Sequence, residues 1–195
     1  MKSVLIPGLL AALMTLLSAC SQAPPAPAPD YLLPGASHSG HTPLRIHVTL
    51  ASYLDQGGIV LQLSDTELHV ARQHRWAEPL GSQLQRALAA TLASQATLPE
   101  QGKLALQISR FQGVQNAEGD VARITGTWQF TSDAQSRKGP IEWQGPINGE
   151  GYAPLVEALD QGWQEVGRAI TLALKKVAGE YRITDLEWGK EWKGA

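Results

Sequence analysis

Side chains able to act as nucleophiles or metal ligands are sparse in this 195-residue chain, and their spacing limits the chemistry open to them. The single cysteine, Cys20, excludes a disulfide and any cysteine-based zinc or redox centre. His38, His41, His47, His69 and His74 are the five histidines. His38 and His41 stand three apart, but no carboxylate cluster accompanies them, and a metal centre needs converging ligands held by a second layer of partners. Gly35-Ala36-Ser37-His38-Ser39-Gly40 has a superficial likeness to a nucleophile elbow. Ser39, however, stands where the second glycine belongs, and no strand and helix flank the stretch. Neither GxxxxGKS/T nor GxGxxG occurs, so no phosphate-cradling loop is present. These residues predict no catalytic centre, no metal site and no bound cofactor.

Cys20 is different because of its surroundings. Lys2 gives a positive start, and Val4 to Leu17 is an apolar run interrupted only by Pro7, Gly8 and Thr15. Leu17-Ser18-Ala19-Cys20 closes it with small residues, the pattern of a secretory signal. A cysteine directly after those residues makes the segment a lipobox. The expected chemistry is transfer of a diacylglyceryl group to the Cys20 thiol and cleavage after Ala19, leaving acylated Cys20 as the N-terminus. Several acyl chains on one cysteine make a lasting membrane anchor, since each buried CH₂ contributes about 0.8 kcal/mol. No other stretch approaches the roughly 20 apolar residues a spanning helix needs. Ser21 rather than Asp follows, a pattern that permits sorting to the outer membrane in Gram-negative lipoproteins. The chain is therefore expected at the outer membrane, facing the periplasm.

Residues 1–19 are thus read as signal peptide, 20–42 as lipidated cysteine and tether, and 43–195 as a single α/β domain with an aromatic C-terminal tail. Ser21 to Pro29 is rich in proline and alanine and favours stiff polyproline II. Tyr31-Leu32-Leu33-Pro34 interrupts the tether with an aromatic-aliphatic patch expected to dock on the domain edge. A 43% hydrophobic content suffices for a core, and a net charge of −2 offers no overall basic field for nucleic acid.

The elements that follow alternate in period. Leu44, Ile46, Val48 and Leu50 share one face of a strand, with Arg45, His47 and Thr49 on the other. Two short strands are expected around Ser64–Glu67. Leu80, Leu84, Leu88 and Leu92 then mark a helix from Glu78 to about Gln95, with Pro79 suited to its first turn. Leu104, Leu106 and Ile108 form a long strand that returns through Ile124, Trp128 and Phe130. A second hairpin is expected to turn at Ser136–Gly139 and lead to Ile141 and Trp143. Val156, Leu159, Trp163, Val166, Ile170 and Leu174 define a last helix from about Pro154 to Ala178, capped by Gly179. Hairpins between the central strands exclude a doubly wound Rossmann fold and point to one mixed sheet with packed helices.

Three segments carry a more specific likeness. They are Tyr31-Leu32-Leu33-Pro34 after the lipidated cysteine, Ser52-Tyr53-Leu54-Asp55-Gln56-Gly57-Gly58-Ile59-Val60 after the first strand, and Arg75-Trp76-Ala77-Glu78-Pro79-Leu80 opening a helix. In order and spacing the chain resembles the ABC-type transport auxiliary lipoproteins. The resemblance implies a three-layer α/β fold, a mixed sheet with antiparallel hairpins and two main helices, similar to the TolB N-terminal domain. It implies a non-enzymatic periplasmic accessory working with an MCE-domain protein and an ABC transporter in intermembrane lipid transport, and ring-like self-association in one branch of the family. Tyr53, Asp55, Trp76, Trp188 and Trp192 are the candidate partner surface, because aromatics dominate interface energetics. An outer-membrane regulator of a periplasmic enzyme such as a peptidoglycan synthase is the alternative. It needs a long tether, whereas about twenty residues at roughly 3.1 Å each span only about 60 Å.

Overall fold

The structure is a computed structural model that describes residues 28–38, 40–94, 101–133 and 136–188, with side chains as far as Lys175. In chain order the elements are β1 (Asp30–Tyr31), β2 (Leu44–Leu50), β3 (Gly58–Gln62), β4 (Leu68–Trp76) and α1 (Leu80–Ala93), followed by β5 (Gly102–Val114), β6 (Val121–Thr131), β7 (Ser136–Pro146) and α2 (Tyr152–Trp188). The strands form one seven-stranded sheet in the order β1-β4-β3-β5-β6-β7, with β2 also on β5.

The thirteen residues of β5 organise this sheet. β2 runs parallel to the first half of β5, from Leu44 opposite Gly102 to Leu50 opposite Ile108. β3 runs parallel to its end, with Leu61 opposite Gly113. β6 and β7 complete an antiparallel meander on the other side. The ladder shifts register between Ile108 and Arg110, and the loop from β2 to β3 passes at that level. Gly57 ends this loop with φ 81, a left-handed conformation that L side chains avoid.

Both helices lie on one face of the sheet. Leu84, Leu88 and Leu92 of α1 and Leu159, Trp163, Ile170 and Leu174 of α2 are almost fully buried against Leu104, Leu106, Phe111, Ile124 and Phe130. Close approach depends on small residues here, since a side chain on Gly162 would collide with the Trp143 ring. Residues 33–37 lie against the two helices in turn. The expected mixed sheet, antiparallel hairpins and two packing helices are all present, but with both helices sharing one core on one face the described residues form two layers rather than the expected three.

Three local readings change. The β6–β7 connection lies before Ser136, because Ser136 already pairs with Thr131 and Arg137 with Phe130. Gly179 does not cap the last helix, which continues to Trp188. An interior glycine costs a helix only about 1 kcal/mol relative to alanine, and strong helix formers such as Lys175, Lys176, Glu180 and Leu186 flank it. The tail expected from Tyr181 is therefore helical backbone as far as Trp188. Trp76 is the third change. As the last residue of β4 it turns inward, is only 6% exposed and meets Phe111 with ring centroids 6.1 Å apart. It belongs to the core and leaves the set of candidate contact residues.

Candidate functional site

The sharpest polar construction in the molecule holds the N-terminal segment. β1 adds to β4 in parallel, with Asp30 opposite Arg75 and Tyr31 opposite Trp76. The Ala77 amide donates to the Tyr31 carbonyl at 2.9 Å. In a parallel ladder that makes Tyr31 the bonding residue of β1 and places Pro29 at the preceding bonding position. Proline has no N–H to donate, so the ladder cannot extend toward the tether.

Beyond β1 the chain turns onto the helices, where two buried polar side chains receive it. Gln83, fully buried in α1, accepts from the Leu33 amide at 2.8 Å and donates to the Glu78 carbonyl at 2.9 Å. Asp160, 5% exposed in α2, accepts from the Gly35 amide at 2.8 Å through Oδ1 and from Gln164 at 2.8 Å through Oδ2. Leu33 is fully buried between them. A side chain on Gly35 would press on Asp160 Oδ1, so the backbone needs glycine to come this close. Tyr31 adds a contact to His74 Nδ1 at 3.2 Å, and the His74 ring stacks on Tyr152 with centroids 4.1 Å apart. The expected docking of the Tyr31–Pro34 patch is thus built from side chains of both helices.

Sequence reasoning missed Gln83 and Asp160, although a signal existed. Asp160 continues the spacing of Val156 and Trp163, and Gln83 that of Leu80 and Ala87, so each is a polar residue at a core position. A polar group there needs a buried partner.

Tyr53 and Asp55 lie together on the β2–β3 loop. Asp55 is exposed in the short 3₁₀ turn Leu54–Gln56. Tyr53 is half-buried, and its hydroxyl reaches the Ser109 carbonyl at 2.6 Å and Gln112 Oε1 at 2.8 Å. Gln112 in turn donates to Gln62 Oε1 at 2.9 Å. Burial pushes the Tyr53 hydroxyl above the ordinary tyrosine pKa, with the Arg110 charge pulling the other way. Tyr53 therefore ties the loop to the sheet at the register shift. Arg75 donates to the Gln56 carbonyl at 3.0 Å, and the Trp76 amide donates to the Gly57 carbonyl at 2.8 Å. The structure thus brings Tyr53 and Asp55 beside the end of β4. Cys20, Trp192 and the side chain of Trp188 lie outside the described residues.

Beside the loop, on the sheet face away from the helices, Thr49, Gln107, Ser109, Thr125, Thr127 and Glu142 surround an open recess of about 490 Å³. Leu50, Ala51, Ile108 and Ile141 add apolar wall between these amide, hydroxyl and carboxylate groups. Among the described residues no group of three or more His, Cys, Asp or Glu side chains could hold a metal ion. No described helix is long and apolar enough to cross a membrane.

Comparison with known proteins fits this architecture. Residues 31–171 match the family model for the ABC-type transport auxiliary lipoprotein component. The chain is 30% identical over 139 residues to the intermembrane transport lipoprotein PqiC of Escherichia coli strain K12, covering 67% of this chain and 73% of that protein. The PqiC of Shigella flexneri matches to the same extent, 30% over 139 residues. A crystal structure of an uncharacterized protein superposes with a TM-score of 0.62 at 28% identity, covering 73% of this chain and 95% of that one. A Xanthomonas campestris protein gives 0.60 at 16% identity, over 74% of this chain and 95% of its own, and shares the fold. The matched span opens at Tyr31, the first residue of the docked patch, and takes in α1 and the part of α2 that carries Asp160: the chain belongs to the ABC-type transport auxiliary lipoprotein family.

Proposed function

We propose that this protein is a non-enzymatic accessory of an MCE/ABC-type intermembrane lipid transport system, anchored by acylated Cys20 in the outer membrane and facing the periplasm. Residues 1–19 are its signal peptide, residues 20–42 carry the lipidated cysteine and tether, and the α/β domain follows. An MCE-domain protein is its partner, and copies of the chain associate with one another, as a ring in the fullest form. The family match through residues 31–171 is the observation that carries this reading. The docked N-terminal segment supports it physically. With Asp30 in the sheet, only the nine residues Ser21–Pro29 remain between anchor and domain. At about 3.1 Å each they span about 28 Å, which holds the domain beside its own membrane. Asp55 with Tyr53 on the β2–β3 loop, and Trp188 with Trp192 beyond it in the chain, are the proposed contact residues.

Two measurements test the proposal. Mass spectrometry of the chain extracted from membranes should give an acylated Cys20 peptide. An unmodified peptide running through residues 15–25 in the mature protein would overturn the anchor. Crosslinking in intact cells should then capture the MCE-domain protein, less efficiently for Tyr53→Ala, Trp188→Ala and Trp192→Ala. Capture unchanged in all three, with each variant folded, would remove them as contacts. Absence of the MCE protein from the wild-type crosslinks would remove the partner.

A further inference from the structure

The sheet face away from the helices has a charge that the whole chain does not have. Alternation along the strands and the β2–β5–β6–β7 registers place Arg45, Lys103, Arg110, Arg123 and Lys138 on this one face, opposed by Glu142 alone. Four of the five cations are exposed and Arg123 is half-buried. The face therefore carries a net charge of about +4 in a chain whose total is −2. His47, Thr49, Gln107, Thr127 and Gln129 occupy exposed positions between the charges, and no Trp, Tyr or Phe projects from these positions of the four strands.

From this geometry we infer that the open face is a docking surface for anionic lipid headgroups of the bilayer that holds the anchor. The inference rests on the lipid-anchor reading above. Charge complementarity is its first support: each Lys or Arg brought near an anionic bilayer strengthens binding by about fivefold. The second is the reach of the tether. β5 lies three strand positions from β1 and β7 lies five, or about 14 Å and 24 Å at roughly 4.8 Å per strand. Both are shorter than the roughly 28 Å that Ser21–Pro29 can span, so the anchor and the whole face can meet one leaflet together. A protein partner fits these strands less well, because protein interfaces concentrate their energy in buried aromatic anchors, and Tyr53 at the rim is half-buried with its hydroxyl already held by Ser109 and Gln112. Docked this way, the domain turns its helices and the docked N-terminal segment toward the periplasm.

Cys20 is the only native cysteine, so an introduced cysteine gives a unique labelling site on the acylated chain. A fluorophore at Gln129→Cys reports on the open face, and one at Leu172→Cys, which is 65% exposed on α2, reports on the helix side. The acylated chain is reconstituted into phosphatidylethanolamine/phosphatidylglycerol vesicles or phosphatidylcholine vesicles, each with a headgroup-attached quencher. Quenching at position 129 should exceed that at 172 severalfold in the anionic vesicles, and the difference should vanish in phosphatidylcholine or at high salt. Reversing two charges with Lys103→Glu and Lys138→Glu should weaken docking by at least about 25-fold and bring quenching at 129 down to its phosphatidylcholine level. Equal quenching at both sites, stronger quenching at 172, or insensitivity to lipid charge would overturn the inference. So would charge reversal that abolishes MCE-protein capture while position 129 stays unquenched in protein-free vesicles, since the face would then serve a protein. If the chain does not float with vesicles at all, the anchor reading fails separately. Docking is then read from co-sedimentation of the unanchored chain with anionic vesicles, and an equal response to phosphatidylcholine would overturn it.

Discussion

Consecutive residues of the same strands build two surfaces with opposite physics. On the helix side, Leu104, Leu106, Ile108, Phe111, Ile124, Phe130 and Ile141 are each at most 2% exposed. Polar atoms on that side are admitted only with a partner. Trp163 Nε1 donates to the Leu84 carbonyl at 2.9 Å, and Trp143 Nε1 donates to Glu165 at 2.7 Å. Among the described residues no buried side-chain nitrogen or oxygen lacks a hydrogen bond. On the open side, positions one residue away carry Lys103, Gln107, Thr127 and Gln129, all exposed. Stability is concentrated on the first surface, where burial makes each substitution expensive. The second is free to carry recognition, because exposed positions change at little cost to the fold.

The largest test of this contrast is Ile170→Asp. It would place a carboxylate at a site 2% exposed among apolar side chains, at a cost of several kcal/mol out of a typical 5–15. Thermal unfolding should show a large loss, and an unchanged melting temperature would show that this helix face is not core.

Asp160→Ala probes the docked segment. It strands the Gly35 amide and releases Gln164, which should cost about 1–3 kcal/mol. Limited proteolysis should then cut between residues 21 and 37 faster than in the wild type, while Asp160→Asn, which keeps an acceptor, should recover most of the protection. Equal cleavage in all three proteins would mean that the segment is held without Asp160.

Tyr53→Phe removes the hydroxyl from Ser109 and Gln112 and should cost about 1 kcal/mol in denaturant unfolding. It also predicts a pH signature. The folded state favours the protonated hydroxyl, since burial raises its pKa. That contribution is complete below the unfolded tyrosine pKa of about 10 and is lost as pH rises through the folded value. Wild-type stability should therefore fall on the alkaline side, and Tyr53→Phe should flatten part of the fall. Tyr152, raised chiefly by burial and further by Tyr31, leaves a remainder.

Smallest of all should be Gln129→Lys on the open face. Unfolding should move by no more than about 0.5 kcal/mol. A loss of several kcal/mol would show that the open face bears load after all.

Much of this arrangement could be read from period alone. The four-residue steps of Leu80, Leu84, Leu88 and Leu92, and the three-four steps from Val156 to Leu174, place the buried faces of both helices where they are found. Alternation from Leu44 to Leu50 gives β2, and the return of Leu104, Leu106 and Ile108 through Ile124, Trp128 and Phe130 is the β5–β6 hairpin. The readings that changed depend on contacts distant in sequence. Trp76 resembles an exposed end residue until β4 is seen to close on Phe111. Asp160 is a polar residue at a core spacing of the last helix, and its partner comes from a residue 125 positions away. Ser136–Gly139 has turn composition, yet pairing with β6 draws it into the ladder.

By itself the sequence determined the family likeness, the lipobox at Cys20 as the expected anchor, the two amphipathic helices and the hairpin order of the central strands. Those follow from neighbours along the chain, which local period and spacing encode. Only the tertiary structure decided that Gln83 and Asp160 grip the tether, that Trp76 is core, and that an acidic chain gathers five cations on one sheet face. Net charge is a sum over residues and carries no positions. A face is assembled from four strands whose registers are set by pairing across the sheet.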